Sequence, residues 1–229
     1  MMHFEDDFAR IASLIGEPSR AIMLWTLTDG RAYTAGELAV CADISPQSAS
    51  NHLSKLWDAR LLILEKQGRH RYYRLAGPEV AYAIESMANL LPIKDRTLIQ
   101  RKTTNHGVEY ARMCYDHLAG KVGVEITEAL VKNDLLVKKE HGYHVTSTGK
   151  KWFNAINLDI EKLKQKKRSF ALHCLDRSER RHHLAGSLGA ALCSKMIEND
   201  WIRKKKNSRE VILTYEGRKK LFEMLDLKV

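Results

Sequence analysis

The chain has 229 residues, of which 44% are hydrophobic and 29% charged, a composition typical of a soluble globular protein with one large or two modest domains. It has no apolar run of the roughly 18–20 residues that span a bilayer, and its acidic N-terminus is not followed by an apolar segment. We therefore expect no membrane-spanning helix and no secretory signal peptide. Four cysteines without CxxC spacing favour a cytoplasmic protein with reduced thiols.

The net charge of +10 is unevenly distributed along the chain. Residues 1–91 contain nine basic and eleven acidic side chains, so the positive excess lies in the remainder. Within the first part, however, residues 55–74 contain six basic and two acidic side chains. Such a local basic stretch is typical of an edge that faces phosphate groups, although a solvated surface would look the same.

The first 91 residues predict a definite order of elements. Apolar spacing predicts a helix over 4–15, and Pro18 begins a second. Thr34 with Glu37 forms a capping box for a short third helix, and Ser45 with Pro46 begins a fourth. The segments LLILEKQ and HRYYRL predict a β-hairpin, and Pro78 begins a last helix. This is the order of a winged helix-turn-helix, in which the second helix of the motif enters the major groove of DNA.

The fourth helix carries side chains suited to contacting bases. Its residues are small or amide-bearing where helix propensity would favour Ala, Glu or Lys, and Ser, Asn and Gln can hydrogen-bond base edges or phosphates. A polar solvent-facing surface is the alternative. The predicted DNA contacts on this helix are Gln47, Ser48, Ser50, Asn51, His52 and Lys55. His52 could instead pack beneath the wing.

The tip of the predicted hairpin is rich in cations. Such a tip can enter the minor groove or clamp the phosphate backbone. The predicted wing contacts are Lys66, Arg69, His70 and Arg71. Arg74 lies further along the strand and could pair with an acidic residue of the same domain.

Residues 4–91, and above all the segments ISPQSASNHLSKL and GRHRYYRL, resemble the ArsR/SmtB-type winged-helix repressors. The resemblance implies a homodimer on a pseudo-palindromic double-stranded DNA operator. It also implies that the first and last helices of this domain form the dimer interface. The DNA contacts it implies are those of the fourth helix and the wing.

Many proteins of this kind bind metals through thiolates near an ELxVC segment, which here is ELAVC. Ala39 stands where the first thiol is expected, and only Cys41 remains. One thiolate cannot complete a zinc or arsenic site, and the last helix of the domain (79–91) contains no His or Cys. We therefore expect Cys41 to be a small buried hydrophobic residue.

We expect residues 92–104 to be a linker and residues 105–229 to form a regulatory domain with an internal repeat. The HLAG segment at 117–120 recurs at 183–186, and Asn133-Asp134 recurs as Asn199-Asp200. The copies, about 114–164 and 174–229, each predict a helix, a short hairpin and a Thr-capped helix. The whole chain is thus predicted to be mainly α with small β-hairpins (α+β), ending in a tandem winged-helix-like repeat with one core.

Possible ligands for an effector flank the two HLAG segments. If the copies pack with pseudo-twofold symmetry, these groups would converge and could bind a metal ion, react with oxidants or line a small-molecule pocket. Stabilisation of the repeat interface is the alternative. The candidates are Cys114, Asp116, His117, His173, Cys174, Asp176, His182 and His183. The basic runs at 163–168 and 203–206 could contact flanking DNA or be solvated.

Taken together, the sequence predicts a dimeric transcription repressor that a signal in its C-terminal half releases from DNA. A winged-helix adaptor for protein interaction is one alternative, and a thiol or metal sensor that uses zinc or oxidant chemistry is another. We expect no enzyme, because the chain contains no phosphate-binding loop, HExxH or GxSxG motif.

Overall fold

The computed structural model describes residues 4–68, 70–88, 90, 106–206 and 208–229. It divides into two compact units, with the boundary between Met87 and Ala88. The predicted linker, 92–104, and Arg69 of the predicted wing lie outside the described residues. None of the helices in the described part of the chain is long and apolar enough to cross a membrane.

The first unit contains the predicted helices α1 (Phe4–Gly16), α2 (Pro18–Leu27), α3 (Ala35–Ala42) and α4 (Pro46–Asp58). Thr34 and Glu37 form the predicted capping box, in which the Glu37 carboxylate accepts a hydrogen bond of 2.7 Å from the Thr34 amide. Ser45 caps α4, with Pro46 at its first position. Asp43, with a φ of 51°, makes the tight turn that joins α3 to α4 as a helix-turn-helix.

A three-stranded antiparallel sheet and a fifth helix complete this unit. The sheet contains β1 (Tyr33–Thr34), β2 (Leu62–Gln67) and β3 (His70–Leu75), in the order β1-β3-β2, and α5 (Pro78–Ala88) follows it. Strands β2 and β3 form the predicted hairpin, which pairs Leu62 with Leu75 and Gln67 with His70. Fully buried leucines from α2, α3, α4 and the hairpin form the core. The winged helix-turn-helix predicted from sequence is present.

Two side chains of this unit, those of Cys41 and Trp57, are exposed. Cys41 is exposed, so its prediction as a small buried hydrophobic residue is wrong. Helix α3 buries Leu38, Ala39 and Ala42, which lie on one side of the helix. Because each residue turns the helix by 100°, Cys41 lies outside that buried side. Trp57 of α4 is half exposed, because Ala49, Leu53 and Leu56 form the buried side of that helix.

The second unit contains two copies of one arrangement, hairpin–helix–hairpin–helix. The first copy comprises β4 (Arg112–Cys114), β5 (His117–Ala119), α6 (Gly120–Lys132), β6 (Leu136–Lys139), β7 (Gly142–Val145) and α7 (Ser147–Ala155), followed by α8 (Ile160–Lys164). The second comprises β8 (Leu172–Leu175), β9 (His182–Ala185), α9 (Gly186–Glu198), β10 (Ile202–Lys204), β11 (Val211–Leu213) and α10 (Tyr215–Leu225). Thr146 and Thr214 cap α7 and α10 as predicted.

Each copy begins with a hairpin that was not predicted from sequence, β4–β5 in the first and β8–β9 in the second. Their strands have three or four residues, which is too short for alternation of apolar and polar side chains to be recognised. Helix α6 of the first copy packs on β9 of the second, and α9 packs on β5. Buried side chains of both copies, including Leu118, Leu130, Leu184 and Leu188, form one core.

Candidate nucleic-acid interface and Cys–His cluster

Helix α4 separates its polar and apolar side chains as a DNA-reading helix requires. Ala49, Leu53 and Leu56 are buried against the first unit. The opposite side exposes most of the predicted contacts, namely Gln47, Ser50, Asn51 and Lys55, and Ser48 is partly exposed. The Ser50 hydroxyl donates 2.9 Å to the Pro46 carbonyl, while the amides of Gln47 and Asn51 lie 3.5 Å apart.

His52 is the predicted contact that the structure places elsewhere. Its Nδ1 lies 3.3 Å from Arg20 Nη1 and 3.4 Å from Glu17 Oε2, both of α2 or its cap. Arg20 is itself buried and donates to the carbonyls of Leu14 and Ser13 at the end of α1. His52 therefore joins α4 to α2 and α1, a positioning contact within the first unit.

The wing presents two like charges directly across the hairpin. Lys66 and Arg71 are paired residues of β2 and β3, and both are exposed, as is His70. Like charges directly opposite each other destabilise a sheet unless an anion neutralises them. Arg74, by contrast, forms an ion pair with Glu65, an acidic residue of the same domain.

In the second unit the two leading hairpins bring four possible metal ligands together. Cys114 pairs with His117 across β4–β5, and Cys174 pairs with His183 across β8–β9. The two sulfur atoms are 3.8 Å apart and the two Nε2 atoms 3.1 Å apart. No ligand atom of the four is more than 4.8 Å from another, and all four residues are buried.

Carboxylates lie behind both histidines of this Cys–His cluster. Asp116 Oδ1 is 3.4 Å from His117 Nδ1, and Asp176 Oδ2 is 3.6 Å from His183 Nδ1. Arg168 pairs with Asp116, while Arg112 donates 2.8 Å to Asp176. Neither arginine could be predicted as a partner from sequence, because no spacing signal connects residues more than 50 positions apart.

Burial and charge act together on the ionisable groups around this cluster. Burial alone would raise the pKa of Asp176, but the Arg112 guanidinium holds it below its usual range. The Gly120 amide also donates 2.7 Å to the same carboxylate. Burial lowers the pKa of His183 well below its usual value, so its imidazole is neutral near pH 7.

Glycines of the repeated HLAGxxG segment allow the hairpins and helices to approach closely. A Cβ on Gly123 would lie 2.5 Å from the Leu118 carbonyl oxygen and 3.8 Å from His183 Cβ. A Cβ on Gly189 would lie 2.3 Å from the Leu184 carbonyl oxygen and 3.5 Å from His117 Cβ. A glycine of each copy therefore lies close to the cluster histidine of the other copy.

Other sequence candidates lie outside the cluster. The ring of His173 is 4.5 Å from that of Tyr143 and 4.8 Å from that of His182, on the face of β8–β9 opposite Cys174. His182 lines a cleft of about 480 Å³ with Tyr143 and Arg181. The basic runs are partly neutralised, since Lys164, Arg203 and Lys205 form ion pairs with nearby acids.

The chain has a close relative along its whole length. It is 42% identical over 223 residues to a protein of Bacillus subtilis (strain 168) described as the uncharacterized HTH-type transcriptional regulator YdfF. The match covers 97% of this chain and 99% of the relative. No family model matches the chain.

Several solved structures are similar to part of the chain. One is the homodimeric winged helix-turn-helix domain of Mb0332 from Mycobacterium bovis, described as a possible ArsR-family regulator. It is 25% identical in sequence, the match covers 37% of this chain and 77% of that chain, and the TM-score is 0.35. Another is the cadmium sensor CmtR from Mycobacterium tuberculosis. It is 29% identical in sequence, the match covers 38% of this chain and 92% of that chain, and the TM-score is 0.33.

The fold and the full-length relative together define the class of protein. A winged helix-turn-helix with an exposed polar face on its second motif helix is a DNA-binding architecture. The chain belongs to the HTH-type transcriptional regulators. This confirms the predicted class and agrees with the expectation that the chain is not an enzyme.

Proposed function

We propose that the chain is a dimeric repressor that binds a pseudo-palindromic operator and is released by a signal received in its C-terminal part. In this proposal residues 1–91 form the domain that binds DNA and dimerises, and residues 105–229 form the domain that receives the signal. Residues 92–104 link the two domains. The DNA contacts are those predicted on α4 and the wing, Arg69 included, while His52 positions α4. The cytoplasm is the compartment that such a role implies.

The cross-strand pair of Lys66 and Arg71 is the observation that carries the DNA-binding proposal. Neither forms an ion pair with another residue that the structure describes, although an arginine three positions further along β3 does. Phosphate would supply the missing counter-charge and release condensed cations. The amide and hydroxyl groups exposed on α4 are the kind that read base edges.

Exposed apolar side chains support the dimer. Phe4 and Phe8 of α1 are 80% and 66% exposed, and their rings are 6.4 Å apart. Met87 of α5 is half exposed, and Leu90 just beyond it is 83% exposed. Apolar surface of this kind on the first and last helices matches the dimer interface that the ArsR/SmtB resemblance implies.

The Cys–His cluster supports the sensing part of the proposal. Four buried ligand atoms within 4.8 Å of one another are suited to a metal ion, although a small-molecule effector elsewhere in the unit would serve the same regulatory role. A ligand can release the protein from its operator only if it binds the state with low DNA affinity more tightly than the state with high DNA affinity.

The proposal is tested by operator affinity. The purified full chain is titrated onto DNA from upstream of its own gene, with zinc, with a chelator and with a mild thiol oxidant. We expect tight, salt-dependent binding by a dimer that protects two half-sites, and weaker binding under one of these conditions. A dimer that binds the upstream DNA no more tightly than scrambled DNA would contradict the operator assignment. Affinity that is constant under all conditions would contradict sensing of metals or oxidants.

A further inference from the structure

We propose that Cys114, His117, Cys174 and His183 form a tetrahedral zinc site that joins the two repeats of the C-terminal unit. The proposal rests on the proposed function in taking this unit as the sensing part, and it names the ion that the unit binds. Two of the ligands come from each copy, so the site exists only when the repeats are folded against each other.

The chemistry of the donors selects the metal. Two thiolates and two imidazoles are a common ligand set of structural zinc, whereas calcium and magnesium require oxygen ligands. Four protein ligands leave no position for water, so the site is closed and serves binding rather than hydrolysis. On binding, Zn²⁺ replaces the two thiol protons, which leave to solvent, and the resulting Zn(Cys)₂(His)₂ group is electrically neutral.

The sulfur–sulfur and nitrogen–nitrogen distances match the edges of a tetrahedron around one ion, and the cluster as a whole, whose ligand atoms lie within 4.8 Å of one another, contracts by small side-chain movements when the ion binds. Bonds of about 2.3 Å to sulfur and about 2.0 Å to nitrogen set tetrahedral edges of about 3.8 Å between sulfurs and about 3.3 Å between nitrogens. The observed separations are 3.8 Å and 3.1 Å. The sulfur separation is far longer than the roughly 2.05 Å of a disulfide.

The orientation of the histidines is the one that metal ligands adopt. His117 Nδ1 lies 3.4 Å from Asp116 and His183 Nδ1 lies 3.6 Å from Asp176, so both Nδ1 atoms face a carboxylate and both Nε2 atoms face the cluster. The two Nε2 atoms lie 3.1 Å apart, within the distance of a hydrogen bond between them when one ring carries its proton on Nε2. A metal ion would take the place of that proton and bind both nitrogens together with the two sulfurs.

The surrounding charges are already balanced without the zinc ion. Asp116 pairs with Arg168, and Asp176 pairs with Arg112, so neither carboxylate needs to become a ligand. They remain available to orient the imidazoles, as carboxylates do behind zinc-bound histidines.

The test measures metal bound to the purified full chain. We expect about one zinc per chain, and a cobalt-substituted protein whose spectrum shows tetrahedral d–d bands and thiolate-to-cobalt charge transfer. Cys174→Ser and His183→Gln should abolish both signals. His173→Gln, on the opposite face of the same hairpin, and Cys41→Ser, in the other unit, should retain them.

A second measurement covers variants that fail to fold. Chelation of the wild-type chain should lower the midpoint of thermal unfolding by about 5 °C or more, and added zinc should restore it. A folded chain that retains no zinc in either assay, or a Cys174→Ser variant that still binds one equivalent, would overturn the proposal. So would a metal-free chain that contains a Cys114–Cys174 disulfide. Zinc binding without any change in operator affinity would leave the site intact and contradict the sensing function alone.

Discussion

The sulfur atoms of Cys114 and Cys174 lie 3.8 Å apart although 60 residues separate them in the chain. Each occupies the same register position in its own hairpin, directly opposite a histidine. The pseudo-symmetry of the repeat therefore turns two Cys–His pairs into one four-ligand cluster. Neither copy alone holds enough ligands for a closed zinc site.

Removal of a wing cation should weaken DNA binding through its electrostatic part. We expect Lys66→Ala and Arg71→Ala each to lower the slope of log affinity against log salt concentration by about 1. Titrations at several salt concentrations would measure it. Arg74→Ala is the matched control, because Arg74 is neutralised by Glu65. An equal loss in all three variants would refute the wing assignment.

A base-reading side chain should matter for specificity more than for general affinity. Asn51→Ala should cost about 1–3 kcal/mol on the operator and little on scrambled DNA. Asn154→Ala, an exposed helical asparagine of the second unit, serves as control. The measurement is the ratio of the affinity for the operator to the affinity for scrambled DNA. An unchanged ratio would show that Asn51 does not contact bases.

A charge on α1 should disrupt the proposed dimer. Phe8→Asp places an anion in the exposed apolar patch, so its burial against a second subunit becomes unfavourable. Sedimentation should show a monomer with little operator affinity. Tyr215→Asp alters an exposed aromatic residue of the other unit and should stay dimeric. A Phe8→Asp protein that remains dimeric would place the interface elsewhere.

Loss of the Asp176 charge should destabilise the second unit. This side chain is fully buried and accepts hydrogen bonds from Arg112, Gly120 and Ser178. Asp176→Asn leaves the Arg112 cation buried without its counter-charge, which costs about 3–5 kcal/mol in comparable pairs. Denaturant unfolding followed by circular dichroism would measure the loss. Asp200→Asn breaks an exposed ion pair and should change little. Similar curves for both variants would contradict the prediction.

A methyl group on Gly123 should disturb both packing and the cluster. Its Cβ would lie 2.5 Å from a backbone oxygen that cannot move independently, and overpacking of this kind typically costs about 1–3 kcal/mol. We expect Gly123→Ala to lower stability and zinc content together. Gly36→Ala, where a Cβ meets nothing closer than 4.0 Å, should be neutral or stabilising. A fully stable, zinc-replete Gly123→Ala protein would show that the close approach is not required.

The first unit was predictable because its signals are local. A capping box needs residues three positions apart, and a hairpin needs two short strands around a turn, as at Gly68. Thr34, Ser45 and Pro46 occupy the positions that their chemistry implied. The exposure of Cys41 could not be predicted, because it depends on which side of a short, mostly apolar helix meets the rest of the unit.

The sequence alone determined the winged helix-turn-helix, the polar face of α4, the repeat and the set of residues that could bind a metal. Only the tertiary structure decided which of those residues meet. It joined Cys114 and His117 to Cys174 and His183, and it left His173 on the opposite face of its hairpin. The physical reason is that convergence depends on packing between copies, which β-strand register and close glycine contacts establish across some sixty residues of chain.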